Sequence, residues 1–174
     1  MKKKDILVSL AIIVVSGGVL YFYTQRAGFI QIDAGGVDAT LQLRNSLFSG
    51  TTVHTGRGPA AVGAGIHRPQ HLRLSMGQNG HNYLLLSQGP WGDLARIKVR
   101  NDKTTPLRLG PPLSIEPKVR KNGPIVTIEF NVVGRAGELY EKFVRRDNRA
   151  MAGASLKIVN KVGRVLESGK FRYG

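Results

Sequence analysis

This chain predicts an all-β fold behind a single transmembrane helix, and three observations carry that expectation. Beyond residue 28, apolar and polar residues alternate with a period of two in several short runs. The 22 glycines and eight prolines of the chain punctuate those runs. Ahead of them, Lys2, Lys3 and Lys4 precede eighteen uncharged residues, Ile6–Tyr23, rich in Ile, Leu and Val.

The N-terminal run comes first. A bilayer core about 30 Å thick takes about 20 apolar residues in a helix, so residues 6–24 are expected to span it, leaving 1–5 as a cytoplasmic stub. Lysines crowded at one end of a first apolar segment hold that end inside, and a long C-terminal domain crosses regardless of its own charge. The expectation is a single-pass inner-membrane protein, N-terminus cytoplasmic and C-terminal domain in the periplasm. Tyr21, Phe22 and Tyr23 then meet the far headgroups, as Lys2, Lys3 and Lys4 meet the near ones. A cleavable signal peptide ending at Ser16, Gly17 and Gly18 is the competing reading. Against it, the apolar run continues beyond Gly18 and no A-x-A-like site follows before Arg26.

Strands are expected at Phe29–Asp33, Ala39–Arg44, His71–Met76, Leu94–Arg100, Ile125–Val133 and Leu156–Asn160, each bounded by Gly, Pro, Asn or Asp. In Leu94–Arg100 the alternation sets Ala95, Ile97 and Val99 against Arg96, Lys98 and Arg100. The stretch Glu138–Arg146 is the one place where a short helix is expected. Residues 56–65, with five glycines and prolines, read as a flexible loop, and Gly110-Pro111-Pro112 as a stiff break. These divide the chain into one or two small antiparallel β-sandwich modules, 28–109 and 111–174. The end of the chain reads as a meander: a strand, a turn at Asn160–Gly163, a second turn at Ser168 and Gly169, and a last strand with Phe171 and Tyr173 inward.

Gly89-Pro-Trp-Gly-Asp-Leu-Ala-Arg-Ile-Lys-Val, Gly110-Pro-Pro-Leu, Gly137-Glu138 with Tyr140 and the terminal Gly-Lys-Phe-Arg-Tyr-Gly together resemble exported bacterial carboxypeptidase-regulatory-like or immunoglobulin-like β modules. The resemblance covers about residues 89–174. It implies a structural or adhesive accessory role and brings no catalytic residues with it.

Charge narrows the function. Of 26 Lys and Arg and 11 Asp and Glu, three lysines and one aspartate fall in residues 1–23, which leaves 23 against 10, a net of +13. Such an excess attracts anionic lipid headgroups, cell-wall polymer or an acidic protein, and an extracytoplasmic location disfavours nucleic acid. The chain has no cysteine, so it offers no thiolate nucleophile and no Cys-held metal. His67 and His71 are four apart, but Pro69 between them breaks the helix a zinc pair would need, and both read as turn or surface histidines. There is no G-x-S-x-G nucleophile elbow. Glu138 and Glu141, set among Lys142, Arg145 and Arg146, read as solvated ion pairs. The Gly56-Arg-Gly58 stretch lacks both the third glycine and the helix of a phosphate-binding loop.

What remains is cationic surface. Arg96, Lys98 and Arg100 form one cluster, Lys118 and Arg120 a second, and Arg145, Arg146 and Arg149 a third, forming one basic surface if the fold brings them together. Trp91 reads either as a core plug beside a turn or as an exposed contact. The expectation is a non-catalytic accessory subunit, with no cofactor or metal, that docks through this surface onto a membrane protein complex. Direct binding of anionic envelope polymer or lipid headgroups is the alternative, and a hydrolytic enzyme the third reading.

Overall fold

Short β-branched and leucine-rich runs between tight turns build fifteen strands and no α-helix across the residues that the computed structural model describes, 27–45, 50–141, 144–151 and 153–171. Strands are numbered in chain order. In a first sheet, β1 (Ala27–Asp33) pairs antiparallel with β4 (Ala60–Gly63) and parallel with β8 (Thr104–Arg108). A second sheet runs β13 (Arg149–Ala150), β12 (Arg145–Arg146), β6 (His81–Ser87), β5 (Gly65–Gln78), β2 (Asp38–Asn45) and β3 (Gly50–His54). The short β7 (Ile97–Val99) pairs with Gly65–His67 at the start of β5. A third sheet joins β9 (Ser114–Asn122), β10 (Ile125–Val133) and β11 (Leu139–Tyr140), and a fourth is the hairpin of β14 (Ser155–Val159) and β15 (Val165–Lys170).

The period-two pattern explains the core. Ile30 and Ile32 of β1 are buried, as are Ala39, Leu41 and Leu43 of β2 and Leu72 and Leu74 of β5, while their neighbours face outward. These side chains form one apolar cluster with Val53, Val62, Ile97, Val99 and Leu107, so the first two sheets face each other across a shared core, which fits a β-sandwich. Ala136 and Tyr140, beyond Gly110, belong to the same cluster, and β12 extends the second sheet from β6.

A polar hub ties the parts together. Glu138 is fully buried: Oε1 accepts from the Gly110 amide (2.6 Å) and the Tyr140 hydroxyl (2.7 Å), and Oε2 from the Ala136 amide (2.9 Å). Arg135 donates its backbone N–H to Gly110 and its guanidinium to the carbonyls of Leu109 and Asp33. It also pairs with the Asp33 carboxylate at 3.2 Å. The Arg135 hydrogen bond, helped by the Gly35 amide, holds the Asp33 carboxyl below the usual range. Gly92 sits at φ +53, and a Cβ there would run into the backbone of Ala136 and Gly137.

Several expectations are corrected. Among the described residues of the stretch 138–146 there is no helix: Leu139–Tyr140 pairs with Val132–Val133 and Arg145–Arg146 with Tyr83–Leu84, so their backbone groups are taken up by neighbouring strands. Glu138, being buried, is no solvated ion-pair partner. Residues 60–63 and 65 are not loop: Val62 is a core side chain and Ala60–Gly63 pairs with Ala27–Ile30. Leu94 lies in a 3₁₀ turn, Gly92–Ala95, held by Asp93 N–H to Ala136 O (2.7 Å), so only Ile97–Val99 of the expected strand is a strand and Ala95 is exposed. His67 is a core residue of β5, 1% exposed, donating from Nε2 to Gly63 O at 2.7 Å. The second turn of the terminal meander is absent, since β15 runs straight through Ser168 and Gly169 in register with Lys157 and Leu156. Phe171 packs edge-on against Phe130. The expected transmembrane segment 6–24, the expected interface residues Lys2, Lys3, Lys4, Tyr21, Phe22 and Tyr23, and Tyr173 lie outside the described residues. Among the described residues, no helix is long and apolar enough to cross a membrane.

Candidate anion-binding face

The outer side of the second sheet carries the site. Because directly opposed residues share a face, the β2–β5 register sets Arg44 opposite Arg68, Gln42 opposite His71 and Thr40 opposite Arg73. On the other side of β2, Gln42 faces Thr52 and Thr40 faces His54, whose Nδ1 lies 3.1 Å from the Thr40 hydroxyl. At the start of β5, Lys98 of β7 stands opposite Ile66, two residues from Arg68 on the same side. A bulge between Gln42 and Leu43 leaves Gln70 as the extra residue, which keeps Pro69 and Leu72 inward and Arg68, His71 and Arg73 outward.

The part of the face from Thr40 to Arg44 and from Arg68 to Arg73 is one-signed, and the exposed Asp38, opposite Ser75, stands at its far end. Arg44, Arg68, Arg73 and Lys98 are exposed, and no acid stands among the paired residues from Thr40 to Arg44 or from Arg68 to Arg73. Among the described residues the two ion pairs are Arg135–Asp33 and His81–Asp147, so none of these four cations is paired. Over Arg44 and Arg68 lies an open depression of about 500 Å³, lined also by Asn45, Ile66 and Gln70. The guanidinium forks can donate to a carboxylate or phosphate, with the amides of Gln42 and Gln70 and the hydroxyl of Thr52 beside them.

The expected clusters do not come together as one set. Lys98 lies on this face, and Arg145 falls on its far edge in a row with Leu84, Ser75 and Asp38. Arg96 and Arg100 are exposed and flank β7. Arg146 and Arg149 oppose each other on the other side of β12–β13. Lys118 and Arg120 belong to β9 in the third sheet, where Lys118 faces Glu129. Trp91 is half-buried and packs against the core cluster. His71 is exposed, and His67 lies in the core with Nδ1 unpartnered, so the two rings take opposite sides of β5. Among the described residues no cluster of His, Asp or Glu could hold a metal. Sequence reasoning missed Arg44, Arg68 and Arg73. Their outward positions are readable from alternation, but their adjacency exists only through the β2–β5 register.

No family model matches the chain, and no curated protein or solved structure is similar to it.

Proposed function

We propose that this chain is a membrane-anchored, periplasm-facing, non-catalytic accessory subunit whose β-sandwich head docks through the Arg44–Arg68–Arg73–Lys98 face onto an acidic protein of a membrane complex. One observation carries the reading: Arg44 and Arg68 stand directly opposite each other with no carboxylate to share. Like charges so placed cost about 0.2–1 kcal/mol, and a face that serves solubility alone mixes its signs. An acidic partner relieves the repulsion and takes up both guanidinium forks, while the one-signed field steers its approach. The resemblance of residues 89–174 to accessory β modules and the apolar Ile6–Tyr23 run point the same way.

The test is co-purification from native membranes in mild detergent. The wild-type chain is expected to run with a larger assembly, and Arg44→Glu with Arg68→Glu to release it without a change in thermal unfolding. A chain that migrates alone at low and moderate salt removes the reading. Salt-steep sedimentation with wall fragments or anionic vesicles, unaccompanied by any protein partner, turns it into direct polymer or headgroup binding.

A further inference from the structure

The third and fourth sheets end in two apolar, cation-flanked tips that the docking face does not use. All nine residues of β9 are exposed. At the β9–β10 turn, Ile125 is 66% exposed beside Val126, with Arg120 and Lys121 on the opposing strand. At the β14–β15 turn, Val162 is 85% and Leu166 60% exposed, with Lys161 and Arg164 beside them. Water-facing Val, Ile and Leu gathered at turns are costly unless something apolar receives them.

The two hairpins share one root and one groove. Phe130 of β10 meets Phe171, which follows β15, with ring centroids 4.5 Å apart, and Phe171 N–H bonds Ala154 at the base of the β14–β15 hairpin. From that contact one groove is lined by Val126 and Ile128 on β10 and by Leu156 and Ile158 on β14. Each strand thus leaves the aromatic pair toward its own turn. The β9–β10 hairpin is rooted beside Gly110 and Arg135, at the Asp33 end of β1.

We infer that these two tips dip together into the headgroup layer of the bilayer that holds the chain, their Val, Ile and Leu entering the acyl boundary and Arg120, Lys121, Lys161 and Arg164 meeting anionic lipid. Small apolar clusters ringed by Lys and Arg bind such surfaces by apolar burial plus salt-screened attraction. The inference rests on the anchored reading above, and the experiment separates the two. The chain has no cysteine, so a single introduced one carries a fluorophore at a unique place. The full chain is reconstituted in phosphatidylcholine vesicles with and without phosphatidylglycerol, each containing a nitroxide-labelled quencher lipid. Labels at Val162→Cys and Ile125→Cys are expected to lose emission in the anionic vesicles and regain it at high salt, while one at Thr52→Cys stays bright. Adding Val162→Asp is expected to abolish quenching at position 125. Tips that stay bright in every vesicle, or quench no more than Thr52→Cys, overturn the inference. A label at Tyr21→Cys reports the anchor by itself: bright there, the anchored reading fails; quenched there with bright tips, the tip inference alone fails.

Discussion

Replacing Glu138 with alanine removes the one acceptor that three buried donors share. The amides of Gly110 and Ala136 and the Tyr140 hydroxyl lie 2.6–2.9 Å from its oxygens, and Tyr140 is itself buried. An unsatisfied buried donor costs about 1–3 kcal/mol, and with some water entering the vacated space the loss comes to roughly 3–6 kcal/mol. That is a large part of the about 5–15 kcal/mol that holds a domain together. At about 2–4 °C per kcal/mol for a chain of 150–250 residues, Tm should fall by roughly 6–24 °C. Glu138→Gln keeps one oxygen for Gly110 and Tyr140 but turns an amide N–H₂ toward the Ala136 N–H, so an intermediate loss of about 1–3 kcal/mol is expected. Thermal and urea unfolding followed by circular dichroism measure both. Trp91, the sole tryptophan, reports the same hub because neighbouring Asp93 bonds Ala136. An alanine variant that unfolds at the wild-type temperature with unchanged tryptophan emission would refute the reasoning.

Three further outcomes follow from the same geometry. Burial, then the adjoining Glu138 carboxylate, raises the Tyr140 pKa, so above pH 10 the unfolded chain releases a proton that the folded one keeps. Stability contributed by that protonated phenol should be intact below pH 10 and fall as pH rises further, and Tyr140→Phe should flatten the alkaline limb of a Tm-versus-pH series. Gly92→Ala, with its Cβ driven into the Ala136–Gly137 backbone, should cost roughly 2 kcal/mol or more, whereas Gly123→Ala, equally at positive φ but in open space, should cost about 1 kcal/mol, read by urea midpoints. Arg68→Gln should leave the protein as stable as wild type or up to about 1 kcal/mol more so, while weakening capture of the membrane complex; a stability loss above 1 kcal/mol would mean the Arg44–Arg68 opposition is structurally favourable.

Legibility followed the range of the interaction that decides each feature. Ile125–Val133 and the body of β2 could be read directly, since alternation and bounding turns are properties of neighbouring residues. Ala60–Gly63 reads as loop because small residues and glycines have weak strand preference; its strand exists because β1 lies alongside it. Glu138 reads as surface because carboxylates usually are, and only the return of Gly110 and Ala136 over it supplies donors enough to bury it. Arg96 and Arg100 were visible as cations flanking a strand, whereas Arg44 and Arg68, 24 positions apart, could not be seen as neighbours.

By itself, then, the order of residues determined that the chain from Ala27 onward would be β-built, strongly cationic, free of thiol chemistry and broken by turns where glycine and proline fall. All of these depend on local period, composition or backbone restriction. The tertiary structure alone decided which arginines oppose each other, which glutamate is sealed inside and which hairpins lie side by side. A strand's register is set by partners far along the chain, and a shift of one residue would turn every side chain to the other face.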